Sequence, residues 1–91
     1  MGKSIGTAEQ KKLLALLRQI RLDAGLRQAD LAKRVKQPQS YVSKYESGER
    51  RLDLLELRQV CLAVGIRLED FVEEFETSLR RRKGLKLPTT N

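Results

Sequence analysis

The sequence predicts an all-α protein, a single domain built as a bundle of five short helices. Three observations lead to this prediction. Apolar residues recur three and four positions apart, and no segment alternates apolar and polar residues as a strand would. Capping residues and glycines divide the chain into segments of helical length. A chain of 91 residues is also too short to support two hydrophobic cores.

The first two helices are marked by a cap, by apolar stripes and by a glycine. Thr7, with Gln10 three residues later, has the form of a capping box and predicts the first helix start. Gly25 is expected to end this helix, and a second, shorter helix is predicted over residues 28–35. The apolar stripes are Leu13, Leu14, Leu17 and Ile20 in the first helix and Leu31, Ala32 and Val35 in the second.

The third and fourth helices follow short connections. Pro38 cannot continue the second helix but fits the first turn of the next, so the third helix is predicted over residues 38–47, with Gly48 as its end. Asp53 is the expected N-cap of the fourth helix, which should end at Gly65. Cys61 lies in its apolar stripe and is expected to be a buried small hydrophobe, not a reactive thiol.

The fifth helix is predicted from about residue 68 to residue 79. Its apolar residues either close the bundle or form a dimer surface, because there are more of them than one small core needs. The candidates for the dimer interface are Phe71, Val72, Phe75 and Leu79. Residues 80–91 lose the apolar period and are predicted to be a basic flexible tail, after a domain at 9–79 and an N-terminal extension at 1–8.

Charge placement favours a polyanionic partner. The net charge is +7, and residues 9–45 hold nine Lys or Arg against three Asp or Glu. Residues 46–78 hold four against nine. A basic first half beside an acidic second half indicates one surface for a polyanion and another for a different contact.

Composition argues against several other classes of function. With no histidine and one cysteine, the chain cannot form an internal disulfide, and neither a metal site of the usual type nor a cofactor is expected. An enzyme is the least favoured class, because no nucleophile accompanies a carboxylate cluster and no glycine-rich phosphate loop is found. Without an apolar run of about 20 residues or a signal peptide, a cytoplasmic protein with no membrane contact is expected.

A helical wheel gives the third helix two unequal faces. At about 100° per residue, Tyr41, Val42 and Tyr45 fall on one side. The opposite arc carries Gln39, Ser40, Ser43, Lys44 and Ser47. Amide, hydroxyl and ammonium groups can address base edges and phosphates. Two short helices joined by a tight turn, with the second exposed, are the arrangement that enters a major groove.

The segment LRQADLAKRVKQPQSYVSKYESGER, residues 26–50, resembles the helix-turn-helix of the phage-repressor/Cro class, often called the XRE family. The resemblance covers about residues 10–75 and includes Arg18, Arg21, Gly25 and Gly65. It implies the lambda-repressor-like five-helix fold. It also implies a sequence-specific transcriptional regulator that binds double-stranded DNA and is expected to be a repressor. A homodimer is expected because four exposed side chains on one helix read only a few base pairs.

The resemblance also implies roles for individual residues. Base contacts are expected from Gln39, Ser40, Ser43 and Lys44, and phosphate contacts from Gln28, Arg27, Lys36, Tyr41, Arg50 and Arg51. Gln28 is further expected to brace the start of the third helix. In such folds an arginine of the first helix often pairs with an acidic residue, so an Arg21–Glu46 pair is favoured over contact of Arg21 with phosphate.

Lys36 departs from the family pattern, which usually has glycine at this turn position. Either the lysine adopts the left-handed conformation at modest cost, or the turn is built differently. Position 27, often a Ser or Thr cap, is Arg27 here.

A different class of function stays open. An antitoxin-type module would bind a protein partner, a toxin, and repress its own operon, with the acidic 46–78 segment and the basic tail as partner surfaces. A restriction-modification controller is a subtype of the main hypothesis.

Overall fold

The computed structural model describes residues 7–83, with side chains described for residues 7–80. This part of the chain forms five helices and no strand, as the sequence predicted. The helices are α1 (Ala8–Asp23), α2 (Gln28–Arg34), α3 (Gln39–Ser47), α4 (Leu54–Val64) and α5 (Leu68–Lys83). Most of the predicted N-terminal extension, residues 1–6, and most of the predicted tail, residues 84–91, lie outside the described residues.

The predicted caps start the helices. The Thr7 hydroxyl oxygen accepts from the Gln10 backbone N–H at 3.0 Å, which satisfies one of the unpaired donors at the start of α1. Asp53 and Glu56 form a reciprocal capping box, in which each carboxylate accepts from the other residue's backbone N–H, at 2.8 and 2.9 Å. Helix α3 starts one residue later than predicted, because Pro38 has an extended backbone and is the N-cap.

Three helices end in the same hydrogen-bonded motif, and one of them does so without glycine. After α2, the N–H of Lys36 bonds to the carbonyl of Lys33 and the N–H of Gln37 bonds to the carbonyl of Ala32. This is a Schellman pattern, whose αL position is usually glycine. Gly25 and Gly65 fill it after α1 and α4 with φ of 75° and 88°, whereas Lys36 fills it after α2 with φ of 59°. The turn therefore keeps the usual geometry and holds the lysine in the left-handed region.

Replacing Lys36 with glycine is expected to raise the free energy of unfolding by about 0.5–1 kcal/mol. The left-handed conformation costs an L-residue about 1–2 kcal/mol, and the greater unfolded-state entropy of glycine offsets part of that gain. Urea denaturation of the two proteins measures the difference. The matched control is Lys33→Gly within α2, expected to lower stability by about 1 kcal/mol. If both substitutions destabilise, the strain assigned to Lys36 is wrong.

The core is formed where all five helices meet. Helix α3 packs against both α1 and α2, whereas α5 packs against α1 and α4. The buried apolar residues are Leu17, Leu31, Ala32, Val42, Tyr45, Val60, Cys61 and Phe71. Cys61 is buried as predicted, and this burial raises the pKa of its thiol to about 11. At neutral pH the thiol is therefore protonated and unreactive.

Helix α5 answers one of the open alternatives and is longer than predicted. Phe71 is only 1% exposed and belongs to the core, so of the two alternatives it closes the bundle. Of the other candidates, Val72 is 41% exposed, and Phe75 and Leu79 are half-buried. The helix also continues to Lys83, past the end of its apolar period. Arginine and lysine are good helix formers and are favoured near helix C-termini, so the helix can continue through this basic segment.

Candidate nucleic-acid interface

A buried ion pair attaches α3 to α1. The Arg21 guanidinium donates to both carboxylate oxygens of Glu46, from Nε to Oε2 at 2.7 Å and from Nη2 to Oε1 at 3.0 Å. Both side chains are only 7% exposed. The remaining guanidinium nitrogen, Nη1, donates to the carbonyl of Leu26 at 2.9 Å. The hydrogen bond with Glu46 raises the pKa of Arg21, and the predicted pairing of these two residues is confirmed.

The same carboxylate orients the two glutamines that begin α2 and α3. Gln28 donates from Nε2 to Oε1 of Glu46 at 3.0 Å, which leaves its own carbonyl oxygen facing Gln39. Gln39 donates from Nε2 to that oxygen at 3.4 Å. The buried pair, Gln28 and Gln39 thus form one hydrogen-bonded chain from the core to the exposed start of α3. Gln28 contacts α3 at two points, as a residue that braces this helix would.

The outward face of α3 carries hydroxyl, amide and ammonium groups. Gln39, Ser40 and Lys44 are exposed, and Ser43 is half-buried. The Ser43 hydroxyl donates to the carbonyl of Ser40 at 3.3 Å. A hydroxyl whose proton is directed to the helix backbone presents mainly lone pairs outward. Ser43 is therefore suited to accept a hydrogen bond from a base amino group.

Arg27, one of the predicted phosphate contacts, is paired with Asp30. The guanidinium donates to both carboxylate oxygens, at 3.0 and 2.9 Å, and the Arg27 backbone N–H donates to Oδ2 at 2.9 Å. The Arg27 hydrogen bonds hold the pKa of Asp30 well below its usual range. Asp30 therefore satisfies the backbone N–H of the N-cap residue, whereas Arg27 makes no side-chain cap hydrogen bond to the N–H groups that a Ser or Thr at position 27 would cap. The Arg27 side chain is 81% exposed, and such exposed pairs contribute little to stability.

Arg50 is engaged on two sides. Its guanidinium donates to both oxygens of Glu56 at 3.2 and 2.8 Å, and its carbon Cζ lies 4.7 Å from the ring centre of Tyr41. The hydrogen bonds from Arg50 lower the pKa of Glu56. Tyr41 in turn meets the ring of Tyr45 edge to face, with centroids 5.8 Å apart. These contacts fix the position of a cation beside Tyr41 of α3.

A shallow surface depression brings together residues from both predicted groups. It is lined by Ser40 and Lys44, predicted to contact bases, and by Tyr41 and Arg50, predicted to contact phosphate. Lys36 lines a different depression, between the end of α2 and α4, beside Gln59. The structure thus groups four of the predicted site residues on one surface and places Lys36 at another.

Sequence reasoning missed the coupling between Arg50 and Glu56. Glu56 is both half of the capping box with Asp53 and the partner of Arg50. The spacing of six residues across a helix start gives no recognisable pattern, so no sequence signal could have shown this pair. The amide chain from Gln28 to Gln39 was equally hidden, since it depends on how α2 crosses α3.

The described residues form neither a membrane-spanning helix nor a cluster of metal ligands. None of the helices they form is long and apolar enough to cross a membrane. Over residues 7–80, no group of three or more His, Cys, Asp or Glu side chains is arranged to hold a metal ion.

The chain is similar to helix-turn-helix proteins in both sequence and structure. The helix-turn-helix family model matches residues 17–71. An XRE-family like protein from Pseudomonas syringae is 39% identical, with a TM-score of 0.75 over 85% of this chain and 94% of that one. The clp gene regulator ClgR from Corynebacterium glutamicum is 27% identical, with a TM-score of 0.73 over 86% and 83%. A search of curated proteins found no match.

The restriction-modification controller protein C.Esp1396I, solved as a mutant, shares the fold. Its TM-score is 0.74 at 23% identity, over 80% of this chain and 97% of that chain.

Proposed function

Because the chain belongs to the XRE-type helix-turn-helix family of DNA-binding transcription regulators, we propose that it binds a specific DNA duplex as a homodimer and represses transcription there. Helix α3 lies in the major groove and α2 crosses the backbone. The observation that carries this proposal is the outward polar face of α3, fixed from beneath by the buried Arg21–Glu46 pair. Repression follows if the bound dimer occupies DNA that RNA polymerase must enter.

Base reading is assigned to Gln39, Ser40, Ser43 and Lys44. The Nε2 group of Gln39 has two hydrogens, and one is directed to Gln28. The second hydrogen and the carbonyl oxygen remain for N7 and N6 of an adenine, the usual bidentate pairing of glutamine. Lys44 is exposed and can reach the acceptors of a guanine. The expected half-site therefore contains an adenine opposite the start of α3 and a guanine farther along.

Phosphate contacts are assigned to Gln28, Arg27, Lys36, Tyr41, Arg50 and Arg51. Arg27 and Arg50 hold exposed or partly exposed carboxylates in the free protein, and they exchange these partners for phosphate oxygens on binding. Neutralisation of phosphates releases counterions from the duplex, so affinity falls as salt rises.

The dimer surface is assigned to Val72, Phe75 and Leu79 of α5, without Phe71. These residues are exposed or half-buried, although they are apolar. Four base-reading side chains cover only a few base pairs, so two copies on a two-fold site are needed for useful specificity.

Selection of bound sequences from a random duplex library tests the proposal. A palindromic consensus is expected, with half-sites about one helical turn apart. If no sequence is enriched above the starting library, the protein is not a sequence-specific DNA-binding protein. In vitro transcription from a promoter that overlaps the selected site then tests repression, and an unchanged or increased yield would contradict it.

Three substitutions separate base reading from phosphate contact. Gln39→Ala and Lys44→Ala are each expected to lose about 1–3 kcal/mol of discrimination between the selected duplex and a scrambled one. Arg50→Ala should weaken binding to both duplexes alike and reduce the salt slope by about one. Fluorescence anisotropy at several salt concentrations measures both effects, with Arg58→Ala on the exposed face of α4 as the control. Equal losses on both duplexes for all three variants would remove the base-reading assignment.

A further inference from the structure

Two acidic residues make the same set of contacts, one at the start of α2 and one at the start of α4. Asp30 and Glu56 each hold the third position of their helix. Each accepts the backbone N–H of its N-cap residue, at 2.9 Å in both cases. Each also accepts two hydrogen bonds from one guanidinium, that of Arg27 for Asp30 and that of Arg50 for Glu56. Both acids therefore combine a backbone cap with a bidentate ion pair.

These two arginines are also assigned to DNA phosphate. A guanidinium binds a carboxylate and a phosphate in the same way, through two parallel N–H···O hydrogen bonds. In the free protein Asp30 and Glu56 thus hold the donors that phosphate oxygens would take. A phosphate that contacts Arg27 or Arg50 must therefore compete with a carboxylate that is already in place.

The ion pair at α4 is the less exposed of the two. The side chains of Arg50 and Glu56 are 39% and 27% exposed, whereas those of Arg27 and Asp30 are 81% and 35% exposed. The guanidinium of Arg50 also lies against the ring of Tyr41. Water and salt screen a less exposed pair less strongly. Glu56 is therefore expected to be the stronger competitor.

Glu56 holds Arg50 from outside the surface that carries the base-reading residues. Arg50 lines the depression that also contains Ser40 and Lys44, and Glu56 is not among the described residues that line it. When Arg50 moves to a phosphate, Glu56 still accepts the backbone N–H of Asp53, so its charge remains at the start of α4. That charge repels the phosphate and adds to the cost of binding.

We propose that Asp30 and Glu56 are internal competitors of DNA phosphate, which lower the affinity of this protein for every duplex by holding Arg27 and Arg50. The inference rests on the proposed function, in which both arginines contact phosphate. The competitors engage residues that contact phosphate and not residues that read bases, so they lower affinity without changing discrimination. Weaker binding to arbitrary DNA shortens the time that the protein spends at each wrong site.

Glu56→Gln separates the competitor from the cap. Glutamine also fits this position of a capping box, because its carbonyl oxygen can keep the N–H of Asp53. Its NH₂ group replaces the oxygen that accepts from Nη2 of Arg50, so the ion pair is lost. Fluorescence anisotropy should show about fivefold tighter binding to both the selected and the scrambled duplex. Asp30→Asn, at the more exposed pair, should give about twofold.

Each variant decides the role of its own carboxylate. Unchanged or weaker binding by Glu56→Gln would overturn Glu56 as a competitor, and weaker binding would mean that it positions Arg50 for phosphate. The same outcomes decide Asp30, which keeps the proposal testable if Glu56→Gln does not fold. A gain on only one of the two duplexes would contradict the expected constant discrimination.

Two further variants separate release of an arginine from simple removal of a negative charge. Glu73→Gln makes the same change of charge at an exposed position of α5 and should alter affinity by less than about twofold. In an Arg50→Ala background, Glu56→Gln should tighten binding by less than about twofold, because no arginine is left to release. A fivefold gain that persists without Arg50 would overturn the proposal.

A measurement without DNA separates this inference from the proposed function. Inorganic phosphate is titrated into the full chain at constant ionic strength, and the Nε–H resonance of Arg50 is followed. Glu56→Gln should reach half of its shift at about fivefold lower phosphate concentration than the parent protein. Equal responses would overturn the competition. If the protein binds no duplex at all, the proposed function fails, whereas the phosphate titration still decides whether Glu56 competes for Arg50.

Discussion

Replacing Glu46 with alanine is expected to lower the free energy of unfolding by about 3–5 kcal/mol, the largest effect of any polar substitution in the described chain. The change leaves the Arg21 guanidinium buried, with the Leu26 carbonyl as its remaining hydrogen-bond partner among the described residues. Removal of one partner from a buried pair costs this much because the other charge stays uncompensated. Urea denaturation measures the loss. A domain of this size is stable by about 5–15 kcal/mol, so this loss is a large fraction of the total and should lower the thermal midpoint.

A charge-matched control and a double substitution make this prediction specific. Glu49→Ala removes an exposed acid three residues away and should change stability by less than about 0.5 kcal/mol. Arg21→Met combined with Glu46→Leu removes both charges and should cost much less than the sum of the single changes. Additive losses would show that the two side chains do not stabilise each other.

The same substitution should affect DNA reading. Without Glu46, Gln28 loses the acceptor that orients its amide, and Gln39 loses a fixed neighbour. At a temperature where the variant is still folded, we expect discrimination between duplexes to fall, as it does for Gln39→Ala. If folded Glu46→Ala protein discriminates as well as the parent protein, the amide chain does not position the base-reading group.

Replacing Phe71 with alanine is expected to cost about 3–5 kcal/mol of stability. Phe71 lies at 1% exposure in the core, and its truncation removes buried apolar surface and leaves a cavity. Urea denaturation at several protein concentrations measures the loss and shows any contribution from association, because dimer stability depends on concentration. A loss below 1 kcal/mol would mean that Phe71 is not a core residue.

A substitution at the adjacent residue, Val72, is the control for Phe71→Ala. It is 41% exposed, so Val72→Asp should change the stability of the monomer little while it weakens dimerisation, because it places a charge on the proposed interface. Sedimentation velocity distinguishes the two variants. If the Val72→Asp variant dimerises as strongly as the wild-type protein, α5 does not form the dimer surface.

Local rules predicted the ends of the helices well, because the determinants of a cap lie within a few residues of each other. The bonds from Gln10 to Thr7 and between Asp53 and Glu56 each span three residues, and their side chains can reach no other backbone donor as easily. The position at Lys36 shows the limit of such rules. Sequence reasoning allowed two turn geometries there. The structure has the usual one, in which the Schellman hydrogen bonds form and Lys36 adopts the left-handed conformation.

Periodicity alone could not tell which apolar residues of α5 are buried. Phe71 and Val72 are adjacent in the chain and belong to one broad apolar stripe, yet only Phe71 is directed to the centre of the bundle. A helical wheel gives relative angles around one helix, but not the direction from which the neighbouring helices approach. That direction is set by the packing of α5 against α1 and α4.

The sequence by itself determined the helix starts to within one residue, the two faces of α3 and the family, because these depend on residues close together in the chain. Apart from the Arg21–Glu46 pair, which the family resemblance implied, tertiary structure alone decided which polar groups from distant parts of the chain meet. Contacts that join distant residues fixed Glu46 between Arg21 and Gln28, and Arg50 between Glu56 and Tyr41. It also buried the hydroxyl of Tyr45 where no described residue is its hydrogen-bond partner. These arrangements depend on helix crossing geometry, which arises from the packing of the whole core and leaves no local pattern in the sequence.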